Sequence, residues 1–311
     1  MSISFQEENY RITPLQEEVS TRRYFLAEKE GEEPIVLCKD HSINWDFVNL
    51  SNYLSTQGIT VPKILAVDEE RSFLFQEYSG AKDLSTLGEE EFNILLKQAI
   101  DLIHKLQTLD PPDFVKKRRF DYAKLSFEIN LTIDSFYKWK ENASLDSDLS
   151  EEIRFFLDET CKLLDQYPCS VFTHRDYHSR NLIWDERKQR IALIDFQDAR
   201  MGTPFYDLSS ILYDAYRPIS MQNRIDLLEY FQTTATKSYK NFKGTYYLQA
   251  FQRSFKALGT YIIQVNEKQN RKFLPSLKNC LNNLIEISQL GVLPDAIYIF
   301  SKQLLQEVRN N

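Results

Sequence analysis

His174-Arg175-Asp176-Tyr177-His178-Ser179-Arg180-Asn181 and, after it, Ile194-Asp195-Phe196 form the pattern H-x-D-x-x-x-x-N followed by a hydrophobic strand ending in Asp-Phe. Between them lie two short apolar runs, Leu182-Ile183-Trp184 and Ile191-Ala192-Leu193-Ile194, around the polar turn 185–190, a β-hairpin pattern. Asn181 opens the first strand and Asp195 closes the second, so antiparallel pairing brings an amide oxygen and a carboxylate together. Mg²⁺ prefers such oxygen ligands and bridges phosphates. Asp176 falls on the preceding loop, where it can accept a proton from a hydroxyl. A lone H-x-D or a lone Asp-Phe carries little. The two in this order, with a hairpin between, point to nucleotide-dependent phosphoryl transfer.

The bulk of the chain sets bounds. Its 311 residues suit one large or two modest domains, and 42 % hydrophobic residues supply a sizeable core. A net charge of −7 disfavours nucleic acid as a partner. The run Lys116-Lys117-Arg118-Arg119 follows Pro111-Pro112 and reads as a solvated loop, with phosphate or partner docking as the alternative. Cys38, Cys161, Cys169 and Cys280 are scattered without metal-binding spacing, as expected of reduced thiols in a cytoplasmic protein. Residues 1–18 are polar and acidic, unlike a signal peptide, and no apolar run approaches the roughly 18 residues that span a bilayer. The expectation is a monomer acting on a small molecule.

Strands are expected at 23–27 and 34–38, a helix at 45–56 ended by Gly58, and a second strand pair at 64–67 and 73–75. Residues 78–81 have linker character. Beyond them Phe92, Leu95, Leu96, Ala99, Leu102, Ile103 and Leu106 recur at helical period until Pro111-Pro112. A helix at 149–167 precedes the catalytic pattern, and helices near 206–216, 220–240, 245–266, 272–289 and 294–308 follow it. The expected architecture is α+β with two lobes: a small β-rich lobe over 1–80 with a hinge near 76–80, and a large α-rich lobe over 81–311. A nucleotide is expected between them.

These residues resemble the aminoglycoside-phosphotransferase-like small-molecule kinases, relatives of the protein kinases. Within that group the chain is most similar to bacterial anomeric kinases that phosphorylate N-acetylmuramate and N-acetylglucosamine at the 1-hydroxyl. Four stretches carry this: Ser20 to Phe25, His174 to Asn181, Ile194 to Gly202 with its continuation through Tyr206-Asp207-Leu208 to Tyr216, and Gln252 to Gly259. The resemblance implies a protein-kinase-like fold, ATP as donor, Mg²⁺, and a sugar 1-phosphate that re-enters nucleotide-sugar synthesis in cell-wall recycling. It implies Asp176 as catalytic base, Asn181 and Asp195 as Mg²⁺ ligands, and His174 and Asp207 as supports of the catalytic loop. Gln76-Glu77-Tyr78 takes the hinge position beside adenine.

The chain departs from the pattern at several points. No glycine occurs near 18–23, which leaves Ser20 and Thr21 to supply amides and hydroxyls to phosphate. Lys39 is placed to pair the phosphates, but a shift of one residue would put Cys38 there, and the sugar-kinase branch often lacks this lysine. No Glu occurs over 45–56 to form the usual ion pair. Arg22, Arg23 or Arg180 can compensate for phosphate charge. Candidates for sugar recognition are Glu128, Asp198, Arg200, Asp214 and Arg253, with Tyr213 and Trp139 as stacking faces. A lactyl carboxylate favours the planar fork of Arg253 or Arg200. Choline, homoserine, a thio-sugar or an aminoglycoside stand as other acceptors, although mixed Arg and Asp content after the Asp-Phe motif argues against a polycation. Gln197 in place of Gly, and no Ala-Pro-Glu element, argue against a protein kinase. A nucleotide-binding module without turnover is the remaining alternative.

Overall fold

The computed structural model describes residues 10–15 and 22–310. Contacts divide them into two compact units: the described residues up to Glu89 together with Arg180–Asp198, and Glu90–Ser179 together with Ala199 onward.

The first unit is built on a five-stranded antiparallel sheet: β1 (Arg11–Pro14), β2 (Arg23–Glu28), β3 (Ile35–Lys39), β4 (Ile64–Asp68) and β5 (Phe73–Glu77), in the order β1-β2-β3-β5-β4. Side chains alternate between its faces. Ala27, Leu37 and Phe75 form a core on one face, flanked by Phe25, Ile35 and Phe73. Tyr24, Val36, Cys38, Leu74 and Gln76 fall on the other. Helix α1 (Trp45–Thr56) starts where Asn44 accepts from the Phe47 amide at 3.0 Å, and it buries Phe47, Val48, Leu50 and Leu54. Gly58, at φ +69°, follows its end.

A second sheet of this unit joins β6 (Lys82–Asp83) to the hairpin β8 (Leu182–Asp185) and β9 (Arg190–Leu193). Asp185 accepts from the Lys188 amide, and Gln189 turns the chain at φ +51°. The Leu193 amide donates to Thr60 O at 2.9 Å, and Lys188 reaches Glu77 at 2.5 Å. Gly80, at φ +134°, passes so close that a Cβ there would lie 2.8 Å from Trp184 O. Only glycine fits this linker position.

The second unit is helical: α2 (Glu89–Gln107), α3 (Asp113–Lys116), α4 (Tyr122–Ala143), α5 (Glu151–Asp165), α6 (Tyr206–Leu212), α7 (Met221–Thr234), α8 (Phe242–Ile262), α9 (Leu274–Ser288) and α10 (Asp295–Asn310). Helix α8 is buried on nearly every side, as a central helix must be, and packs on α4, α6 and α9. A Cβ at Gly259 would lie 2.8 Å from the Thr132 Cα, so this glycine sets how closely α8 meets α4. One short sheet pairs β7 (Val171–Thr173) with β10 (Arg200–Gly202), flanking the catalytic pattern.

Helix α4 is absent from the expected elements because its buried face carries Glu128, Thr132 and Ser135 among its apolar residues. The basic run at 116–119 is solvated as expected, with Lys116, Lys117 and Arg119 exposed, and it is anchored at its edges. Lys116 pairs with Asp110, Arg118 lies over Phe114, and Arg118 O accepts from the Met201 amide at 2.8 Å. All four cysteines are free. Among the described residues no helix is long and apolar enough to cross a membrane.

Candidate active site

In the strand-rich unit a cavity of about 610 Å³ opens beside the sheet. Its apolar walls include Val36, Phe47, Pro62, Ile183 and Ile194, and the linker Gln76 to Ala81 runs along it. Arg22, Arg180, Asn181 and Asp195 supply its polar end. Asn181 and Asp195 are brought together by the hairpin as its pattern requires: Leu182 pairs with Leu193, and the Ile194 amide donates to Asn181 O at 3.1 Å.

Asp195 sits at φ +62°, a left-handed conformation that Asp tolerates, and Oδ1 accepts from Gln197 Nε2 at 2.7 Å. Its side chain stays 45 % exposed. Two hard oxygen donors in one polar recess fit Mg²⁺, which is held by one or two protein ligands and completes its shell with phosphates and water. Among the described residues no group of three or more His, Cys, Asp and Glu forms a protein-only metal cage.

Arg22 lines this recess with Arg180. Its Nε donates to Asp40 Oδ2 at 3.2 Å and its Nη1 lies 3.8 Å from Asp195 Oδ1. Lys39 does not line the cavity. Strand alternation turns it to the opposite face, where its ammonium stands 4.9 Å from the centre of the Phe73 ring, while Cys38 shares the face of Tyr24 and Gln76 and lines a small neighbouring recess with Arg22 and Asp40. In place of a helix Glu, Phe47 of α1 stacks on Phe196 with ring centroids 4.7 Å apart and planes 9° from parallel. Ser20 and Thr21 lie outside the described residues.

In the helical unit the loop after β7 is clamped by Asp207 at the start of α6. Its Oδ2 accepts from the His174 amide at 2.7 Å and its Oδ1 from the Arg175 amide at 3.0 Å. Arg175 adopts φ +81°, strained for a non-glycine residue and held by this clamp. Burial pushes the Asp207 carboxyl up to about 7, against the two amides that favour its ionised form. Asp214 holds the far end of the loop, accepting from the Ser179 amide and the Tyr216 amide, each at 2.8 Å. Both of its oxygens thus serve backbone. Tyr177 donates to Ala99 O at 2.7 Å, and His174 is fully buried.

The clamped loop presents Asp176 to three cations. Arg253 Nη2 and Lys256 Nζ each lie 3.6 Å from Oδ1, and Arg175 Nη1 lies 3.8 Å from Oδ2. Burial pushes the Asp176 carboxyl up, but Lys256, Arg175 and Arg253 overcome it and hold the group well below the usual carboxylate range. Arg253 Nε donates to Ser210 Oγ at 2.9 Å. Buried Glu128 faces Lys124 at 3.0 Å and Arg175 at 3.7 Å. Arg175 and Lys256 are absent from the expected site. Arg175 lies inside the motif itself, and Lys256 stands three residues from Arg253 on one helix face.

Tyr213 lies beneath Arg224, whose guanidinium is 4.3 Å from its ring centre, and lines a small recess with His178, Asp214 and Arg253. Other candidates are placed elsewhere: the Arg200 guanidinium covers the Phe120 ring at 5.1 Å. Trp139 belongs to the buried face of α4. Asp198 closes the strand-rich unit in the turn after Gln197.

The profile of the phosphotransferase enzyme family (APH) matches residues 11–242. The chain belongs to that family. Among its relatives, an N-acetylmuramate/N-acetylglucosamine kinase of Neisseria meningitidis serogroup B is 26 % identical over 92 % of this chain and 88 % of the relative. A protein of the same name from Caulobacter vibrioides is 27 % identical over 59 % of this chain, and there the match spans only about half, 53 %, of the relative's length. A thermostable mutant of aminoglycoside phosphotransferase APH(4)-Ia, in ternary complex with ADP and hygromycin B, superposes with a TM-score of 0.61 at 16 % identity, covering 91 % of this chain and 95 % of that one. This family member therefore has the α+β, protein-kinase-like fold expected from its sequence.

Proposed function

We propose that this phosphotransferase uses Mg-ATP to phosphorylate the anomeric hydroxyl of an N-acetylated amino sugar, N-acetylglucosamine or N-acetylmuramate. The observation that carries the choice of acceptor is the ring of Arg175, Arg253 and Lys256 around Asp176. Choline and aminoglycosides are cations and meet like charge there. An acetamido sugar has lost its amine charge, and a lactyl carboxylate is attracted. The names of the relatives from Neisseria meningitidis and Caulobacter vibrioides support the same acceptor.

The strand-rich unit is the nucleotide lobe in this reading. The base lies between the apolar walls of its cavity along Gln76-Glu77-Tyr78, and Arg22 offsets phosphate charge. Asn181 and Asp195 would hold Mg²⁺, which would supply positive charge to offset that developing on the transferred group. The helical unit is the acceptor lobe. Asp176, held ionised, accepts a hydrogen bond from the sugar hydroxyl and aims its oxygen at phosphorus. A carboxylate so far depressed is a weak base, so it orients the hydroxyl early and takes the proton late. Such transfer depends chiefly on positioning. His174, Asp207 and Asp214 serve that positioning. The product would re-enter nucleotide-sugar synthesis in the cytoplasm, as in cell-wall recycling.

A coupled ADP-release assay over N-acetylmuramate, N-acetylglucosamine, choline and an aminoglycoside tests the reading. Turnover confined to the acetamido sugars supports it. Turnover only with the cationic acceptors overturns it.

A further inference from the structure

The charges around Asp176 do not balance. Among the described residues Lys124, Arg175, Arg253 and Lys256 make ion pairs with Glu128 and Asp176, four cations to two carboxylates. The remaining acids of the cluster, Asp207 and Asp214, each spend both oxygens on backbone amides, and burial pushes both upward, towards the neutral form. Burial also pushes the His178 imidazole down to about 3, so it adds no charge at neutral pH.

Asp176 is shared by Lys256, Arg253 and Arg175, and Glu128 by Lys124 and Arg175. Of the three cations at Asp176, Lys256 is the ammonium on a flexible stem, free to turn from the carboxylate towards a second anion. The Lys256 side chain is 16 % exposed, and burial and the neighbouring Arg253 both work against its charge. A buried ammonium beside a like charge is costly unless an anion offsets it. Nor is Lys256 displaced by packing: Gly259, one turn on, draws α8 against Thr132 and keeps this face of the helix at the catalytic loop.

We propose that Lys256 is a catalytic residue that contacts the phosphoryl group as it is transferred to the acceptor. The proposal rests on the reading of Asp176 as the carboxylate that receives the acceptor hydroxyl. An oxygen hydrogen-bonded to Asp176 brings the incoming phosphorus within a pivot of the flexible Lys256 stem. The acceptor oxygen forms its bond to the γ-phosphorus, and the bond from that phosphorus to the β,γ-bridging oxygen breaks. The electron pair leaves with ADP, and the hydroxyl proton passes to Asp176. Lys256 meets the charge on the equatorial oxygens from the acceptor side.

The test compares Lys256→Met and Lys256→Arg with the wild type in steady-state turnover and thermal unfolding. The expected result for K256M is a fall in kcat of about 10²–10³-fold, the usual effect of removing one charge-stabilising donor. Its KM for ATP stays within about twofold, its melting temperature is not lowered, and K256R recovers at least about tenfold in kcat. Retention of kcat within about threefold, a loss confined to acceptor KM, a lower melting temperature with normal kcat, or K256R no better than K256M overturns the proposal. The ratio is read with whichever acceptor turns over, so an error in the sugar assignment shows on the wild type alone. Should none turn over, orthophosphate calorimetry with ADP present decides: binding at least about tenfold weaker in K256M supports the proposal, and equal binding overturns it.

Discussion

Arg22 Nη1 stands 3.8 Å from Oδ1 of Asp195, and Asp40 fixes the same guanidinium from its other side. A cation is thereby held at the polar end of the cavity in the strand-rich unit, which Lys39 does not line. Arg22→Met is expected to raise the KM for ATP about tenfold or more and to lower kcat, with little loss of stability. Initial rates over a range of Mg-ATP check this. Asp40→Asn keeps the arginine but loosens it, and its effect is expected to be smaller.

The Asp207 clamp makes stability depend on pH. Its folded value of about 7 lies above the ordinary carboxylate range, so the folded chain holds a proton that the unfolded chain releases at about pH 4. This group's contribution is full below pH 4 and is lost as pH rises through about 7, at up to ~1.4 kcal/mol per pH unit. Urea unfolding at intervals from pH 4.5 to 7.5 measures the slope. Asp207→Asn is expected to remove this part of it and to lower kcat, because Asn offers one oxygen where the amides of His174 and Arg175 each need one.

Gly259→Ala places a methyl 2.8 Å from the Thr132 Cα. The helices must separate, at a cost of about 1–3 kcal/mol, and each kcal/mol lowers the melting temperature by about 2–4 °C for a chain of this size class. Arg253 and Lys256 move with α8, so activity is expected to fall by more than the loss of folded protein accounts for. Calorimetry and kcat on the same sample separate the two effects.

The cation ring also predicts discrimination by charge alone. Glucosamine differs from N-acetylglucosamine by a free amine that is cationic at neutral pH, and like charges about 4 Å apart repel by about 1–4 kcal/mol. Its kcat/KM is expected to be at least about tenfold lower. Raising the salt concentration should narrow the gap if the repulsion is electrostatic.

The local part of this site was legible because its geometry is local. Asn181 and Asp195 meet through a hairpin whose strands and turn are contiguous in sequence, and the Asp-Phe ending marks its exit. The convergence on Asp176 was not, because Arg253 and Lys256 reach it from a helix more than seventy residues away and only the packing of α8 on α4 brings them there. That packing was hidden in turn by the polar residues on the buried face of α4. The choice between Lys39 and Cys38 hung on strand register, where one residue exchanges the faces of the sheet. Asp214 offered a carboxylate in a sugar-kinase-like stretch, and nothing in the sequence shows that both its oxygens serve backbone amides. The helical segment expected over 206–216 ends at Leu212, where Tyr213 to Tyr216 turn to form the backbone that Asp214 caps.

Phosphorus NMR of the purified protein with Mg-ATP and N-acetylglucosamine tests the central claim most directly. A new phosphomonoester signal, split by the anomeric proton and growing as the γ-phosphate signal declines, is the predicted result. It should vanish in Asp176→Asn, while calorimetry still detects Mg-ATP binding. A product coupled to the C6 protons, or loss of γ-phosphate without any sugar phosphate for this sugar and for N-acetylmuramate, would contradict the account.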